Sequence, residues 1–423
     1  MNENHEQFPA HDNVRGAADA VARRSYGKLV ALLASRSGDL AAAEDALSDA
    51  FVSALQSWPT NGVPTNPEAW LMTVARRKVI DLTRRQRMHE SAVEQMQPNT
   101  EWFDPDSEDP NFPDHRLGLM FACAHPAIDS HIRAPLILQT ILGLNATMIG
   151  SAFLTSPATM GQRLVRAKSK IKQANIPLRI PEREELPGRI DAVLDAIYAA
   201  FAEGWIDPRG ADVARRELAE DAIYLGWLVT QLLPEEPEAL GLLALMMYAE
   251  ARRGARRNSQ GEFVPLAQQD ISLWDSRMIE AAETLLLRAS KFENPGRYQI
   301  EAAIQSAHVH RRKSGHANWP AIVKLYDELL AISESPVVAI NRGIAIAETQ
   351  GPQAALREMD AIAKDSRLNE YQPYWAARAE LLAQSGAKTE ARQAYDVAIG
   401  LERDPALREF LQRRQGELNS KIH

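Results

Sequence analysis

Apolar residues recur along this chain every three or four positions, the period that gathers them on one face of an α-helix. A first block runs from about Ala17 to Trp58, with Leu29, Leu32, Leu33, Leu40, Ala43, Leu47, Ala50, Phe51 and Ala54 in step. Gly38-Asp39 interrupts it, and Asp39 is a good N-cap for a second helix. The stretch from Pro59 to Pro67 predicts a turn-rich loop. A third helix is expected from about Pro67 to Arg87, with Trp70, Leu71, Val74, Val79 and Leu82 inside. Residues 90–114 lack this period, carry Pro98, Pro105, Pro110 and Pro113, and read as a flexible linker. A second compact block spans 115–176 and ends at Pro177, Pro181 and Pro187. From there to 423 the chain is a series of helical patterns, broken near Pro208, Pro234, residues 258–261, Pro295 and Gly315. No alternating strand pattern of convincing length appears, so the expected class is all-α. Residues 1–14 are expected to be disordered, and they lack the basic flank and apolar core of a signal peptide.

The last third holds a weak repeat. Ile322, Leu356 and Ala391 are spaced by 34 and 35 residues, as are Leu325, Met359, Ala394 and Leu329, Ala363, Ala398. Gly351 and Gly386 are 35 apart. That period belongs to tetratricopeptide-like helix pairs, which stack to bury one continuous core and leave a concave face. A generic helical bundle with accidental spacing is the alternative.

Charge changes the picture more than composition does. The net charge of −8 argues superficially against nucleic acid, but residues 1–180 are neutral, with 19 Lys/Arg and 19 Asp/Glu. Their charges are segregated. Residues 70–89 hold six basic residues and one acid, 90–114 eight acids and no base, and 161–181 six basic residues and no acid. One cysteine, Cys123, excludes an internal disulfide, and no apolar run reaches the ~18 residues of a membrane span. Both fit a cytoplasmic protein.

Residues 143–168 read as a helix-turn-helix. Asn145 caps a short helix with Met148, Ile149, Ala152 and Phe153 inside, and Gly150 is small where the helices cross. Ser156-Pro157 starts a second helix, with Met160, Leu164 and Ala167 inside. Ser156, Thr159, Gln162, Arg163, Arg166 and Lys168 form its polar face, suited to a major groove and its phosphates. A solvated basic helix is the alternative.

This segment resembles the fourth region of RNA polymerase sigma factors, in Gly143-Leu144-Asn145, Ile149-Gly150, Ser156-Pro157-Ala158-Thr159-Met160, Arg163-Leu164 and Arg166-Ala167-Lys168. Leu154 stands where the family's turn glycine usually sits. Upstream, Ala43-Glu44-Asp45-Ala46, Asp49, Phe51, Ala54 and Trp58 resemble the region-two helix that docks on the polymerase β′ clamp. The resemblance implies that Asp45 and Asp49 meet basic side chains there, with Leu47 and Phe51 packing nearby. Trp70 to Arg85 resembles the family's promoter-melting helix, with Arg77 at a usual asparagine. It implies that Arg76, Arg77, Lys78, Arg84 and Arg85 hold the unpaired minus-ten strand. Partners so implied are core RNA polymerase (β′ clamp and β flap) and promoter DNA. The sigma resemblance covers residues 15–89 and 115–176, and the short connector places it in the extracytoplasmic-function type. The tail resembles one group of that type with a tetratricopeptide-like extension over 187–423. Its marks are Phe201–Trp205, Pro237–Met246, Asp270–Asp275 and Ser335–Arg342.

Other chemistry is sparse. Cys123-Ala124-His125 is too small for a metal site. Glu203, Trp205, Asp275, Asn341 and Arg342 can line a groove for a protein or peptide ligand, or serve as buried structural groups. No phosphate loop, nucleophile elbow or zinc-protease motif is present, so neither enzyme activity nor a metal or cofactor is expected.

Overall fold

Helices form where the apolar spacing puts them, and they close where a glycine or a cap can satisfy the loose backbone ends. A computed structural model describes residues 8–37, 40–90, 114–174, 176, 179–205 and 213–420. Among these residues the fold is all-α, with one isolated β-bridge between Arg257 and Phe263. The chain divides into two compact units, 1–199 and 200–423. No described helix is long and apolar enough to cross a membrane.

The first unit contains α1 (Phe8–Ser37), α2 (Leu40–Asn61), α3 (Pro67–Glu90), α4 (His115–Cys123), α5 (Ser130–Thr140), α6 (Ala146–Ala152) and α7 (Pro157–Gln173). The expectation of disorder over 1–14 is corrected for residues 8–14, which are helical. The apolar stripe simply continues backward, with Val14, Ala18 and Val21 buried. On α2, Leu40, Ala43, Leu47, Ala50, Ala54 and Trp58 are buried, and the alanines let α1 and α3 come close. This helix runs through Pro59 to Asn61, past the predicted loop start. It ends where Gly62, at φ +80°, donates its N–H to Trp58 O. Asn66 Oδ1 then caps α3 at Ala69 N, 3.0 Å away. Asp39 and residues 91–113 of the linker read as 90–114 lie outside the described residues, while Glu90 ends α3 and Asp114 caps α4.

The two sequence blocks of this unit pack on each other. α1 lies against α4, where Leu117 to Ala124 are all buried. At Gly27 an added Cβ would overlap the carbonyl oxygen of Ile141, so only glycine allows this approach.

The chain continues through α8 (Ile190–Trp205), within which the second unit begins, to α9 (Val213–Leu232), α10 (Pro237–Glu250), α11 (Ser276–Ser290) and α12 (Arg297–Val309). Then come α13 (Arg311–Ser314), α14 (Trp319–Ile332), α15 (Pro336–Gln350), α16 (Pro352–Ile362), α17 (Gln372–Gln384), α18 (Lys388–Leu401) and α19 (Pro405–Ser420). α10 is apolar almost all round and sits between α9, α11 and α12. The repeat positions Ile322, Leu356 and Ala391 fall on α14, α16 and α18. Gly315, Gly351 and Gly386, which precede those helices, share a φ of +78° to +86°. The positive φ at each is why these positions are glycine.

Candidate nucleic-acid interface

The α2–α3 pair sorts its residues by exposure. Asp45, Ser48, Asp49, Val52 and Leu55 form an exposed stripe at three- and four-residue spacing on α2. Val52 and Leu55 are 52% and 45% exposed, an apolar pair beside two carboxylates that residue-type reasoning missed. The signal was legible: both fall outside the buried 43-47-50-54 stripe. Leu47 is corrected. It is fully buried, so it holds the helix to its neighbours and cannot reach a partner. Phe51 is half-buried and stacks on Tyr26 of α1, centroids 6.3 Å apart, so part of its surface is spent within the domain.

On α3 the buried side is Leu71, Met72, Ala75 and Val79, and Trp70 packs edge-on against Trp58 at 5.6 Å. Arg77 points to solvent and Arg76 is half-buried. Lys78 Nζ reaches Asp49 Oδ2 at 2.8 Å. The structure thus joins a residue predicted for DNA to one predicted for polymerase. Such an exposed pair is worth at most ~1 kcal/mol and yields to a better partner. Arg84 and Arg85 lie on α3, but their side chains are outside the described residues.

α6 and α7 form a short helix, a tight turn and a long helix. Asn145 Oδ1 accepts from Thr147 N and Met148 N, both 3.0 Å. Leu154 adopts φ +49°, the left-handed position that favours glycine. A Cβ on Gly150 would sit 2.6 Å from Thr155 O, so the turn folds directly over that residue. Ala152, expected inside, is exposed, and Ile149 and Gly150 carry the buried face. Ser156 is spent as the cap of α7: its Oγ accepts from Thr159 N at 3.3 Å and donates to Thr159 Oγ1 at 2.8 Å. Gln162, Arg163 and Arg166 are exposed along the next turns.

Lys168 is different. Its Nζ lies 2.8 Å from Glu44 Oε2 on α2, and the pair is largely shielded. Cys123 is buried close by, and burial, then the charge of Glu44, pushes its thiol up to about 12. It is therefore a packed thiol rather than a reactive one. His125 is spent locally, its Nδ1 accepting from Ala127 N at 3.1 Å. Among the described residues no group of three or more His, Cys, Asp or Glu is placed to hold a metal ion.

In the second unit four of the five groove candidates, Glu203, Trp205, Asp275 and Arg342, have structural roles. Glu203 pairs with Arg215 at 3.2 Å, and a Cβ on Gly204 would sit 2.6 Å from Ala219 N, so this motif lets α8 cross α9 closely. Trp205 lies under the Arg256 guanidinium at 3.7 Å. Asp275 caps α11 at Arg277 N and Met278 N. Arg342 ties α14 to α16 through Asp327 and Glu358, each at 2.6 Å. Asn341 is exposed.

His308 on α12 gives this unit a pH dependence. Burial, then the charges of Arg252 and Arg311, lowers its pKa from 6.5 to about 4. The unfolded chain takes up the proton first, so stability is complete above about pH 6.5 and falls as pH drops toward 4. A loss on the order of 1–2 kcal/mol is expected in urea titrations at descending pH, after discounting for partial exposure. His308→Gln should flatten that part of the profile; an unchanged slope would exclude His308 as its source.

Residues 21–88 match the sigma-70 region 2 family model. Residues 189–290 match a family of unknown function, DUF6596. Over 365 residues the chain is 36% identical to the uncharacterized protein R00370 of Rhizobium meliloti (strain 1021), covering 85% of this chain and 86% of that protein. No solved structure matches. The region 2 match covers α2 and nearly all of α3, and supports a sigma factor of the sigma-70 family.

Proposed function

We propose that this chain, which belongs to one family with the Rhizobium meliloti protein R00370, is an RNA polymerase sigma factor of the extracytoplasmic-function type. The observation that carries the reading is the sigma-70 region 2 match on a helix pair with one acidic, apolar-edged face and a basic third helix. In this reading α2 docks on the β′ clamp through Asp45, Asp49, Val52 and Leu55. Arg76, Arg77, Lys78, Arg84 and Arg85 of α3 take the phosphates of the melted minus-ten strand. α6 and α7 form a region-four helix-turn-helix that reads duplex promoter DNA through Thr159, Gln162, Arg163 and Arg166, beside the β flap. Ser156 positions that helix. Lys168 must first leave Glu44. The chain works in the cytoplasm and catalyses nothing itself; phosphodiester chemistry stays with the polymerase. The second unit is a tetratricopeptide-like extension that sets activity from within the chain and takes a protein or peptide ligand.

The test is run-off transcription with core polymerase and the chain's own upstream DNA. Initiation that depends on both chain and core is expected. Duplex binding without core, and no initiation, would instead make the chain a polymerase-independent helix-turn-helix regulator.

A further inference from the structure

Most partly buried arginines of the second unit are neutralised by an acid, and two that share one indole are not. Arg215, Arg253, Arg257, Arg297, Arg342 and Arg378 each hold a carboxylate within 3.2 Å. Arg252, at the end of α10, is 7% exposed and has none among the described residues. Its Nε donates to Tyr248 O at 3.1 Å and its Nη2 to Gln305 Oε1 at 2.5 Å. Arg311, at the start of α13, donates to Gln269 O at 3.1 Å and likewise meets no carboxylate among the described residues. Both guanidinium groups stand over one indole, Trp274, at 5.9 and 5.0 Å from its centroid.

A buried cation is normally paired, because desolvating it alone is costly. Here the nearby charges are of the same sign: burial, then Arg256 and Arg311, draws the pKa of Arg252 down to about 10. The indole Nε1 of Trp274 and the side-chain Oε1 of Gln269, whose backbone carbonyl takes Arg311, are buried without partners. Two guanidinium groups that face carbonyls and an indole, with no acid among the described residues, make a positive surface that an anion would complement. Planar guanidinium groups favour phosphate and carboxylate oxygens, which they grip in pairs.

We infer that Arg252 and Arg311, which share the Trp274 indole, form a binding site for a small molecule carrying a phosphate or carboxylate group. The site is independent of promoter recognition and is tested by binding alone. The full-length chain is titrated with inorganic phosphate and, separately, with citrate, against sodium chloride at matched ionic strength, and the melting temperature is followed. A saturable rise is expected with at least one anion, and which anion saturates separates the phosphate from the carboxylate source. Arg311→Gln, at a half-exposed position that leaves the core intact, should weaken half-saturation about tenfold or more. Arg378→Gln, which removes only the surface pair with Asp360, should leave it unchanged. No saturable rise with either anion, or equal saturation in Arg311→Gln, would overturn the assignment.

Discussion

Glu238→Ala lowers the free energy of unfolding by about 3 kcal/mol. The Glu238 carboxylate, on α10, accepts from Tyr298 N at 2.8 Å and from Gln299 N and Nε2 at 3.2 and 3.1 Å. The two backbone donors belong to the first turn of α12, where no intrahelical acceptor exists. The residue at the cap, Gly296, has no side chain to offer. A Cβ there would overlap the Glu238 carboxylate, so glycine is what lets a neighbouring helix do the capping. Tyr298 and Gln299 are both buried, so water cannot readily replace the lost acceptor. Gly241 belongs to the same crossing: a Cβ would sit 2.7 Å from Gln299 N. Urea unfolding followed by circular dichroism measures the effect. A change under about 0.5 kcal/mol, the range of an ordinary surface substitution, would show that the cap contributes little.

Asp45→Arg leaves the fold intact and cuts run-off transcription at least about tenfold. Asp45 is exposed, so its reversal should cost the free chain less than about 0.5 kcal/mol. A basic clamp surface would then face a like charge, and like-charge juxtaposition at an interface costs several kcal/mol. Leu47→Ala should behave in the opposite way. Leu47 is fully buried, so about 2–5 kcal/mol of stability is lost while the docking face keeps its residues. Full transcription with a correctly folded Asp45→Arg chain would remove this face from the polymerase contact.

Much of the fold is legible in the spacing alone. The stripes on α2 and α3, the Asn145 and Ser156 caps and the glycine turns at Gly351 and Gly386 all depend on neighbours within a few residues. Local hydrogen bonds and helical period decide these, and both are written in order along the chain. Leu154 stands where the resemblance expects a turn glycine, and its backbone is left-handed.

What the sequence could not decide is which surface residues are already spent. The pairings Lys168–Glu44 and Lys78–Asp49 join residues 124 and 29 positions apart. No local pattern reports them. Nor could spacing separate the motif residues that fix the second unit, such as Glu238, Gly241 and Arg342, from those free for a ligand. By itself the sequence determined the helices, their buried stripes and the basic segments that make a promoter-reading chain the expectation. Tertiary structure decided that Lys168 is held by Glu44, that Lys78 is held by Asp49 and that Arg252 and Arg311 meet without an acid among the described residues. Burial and charge compensation are sums over elements distant in the chain, and they exist only once those elements pack.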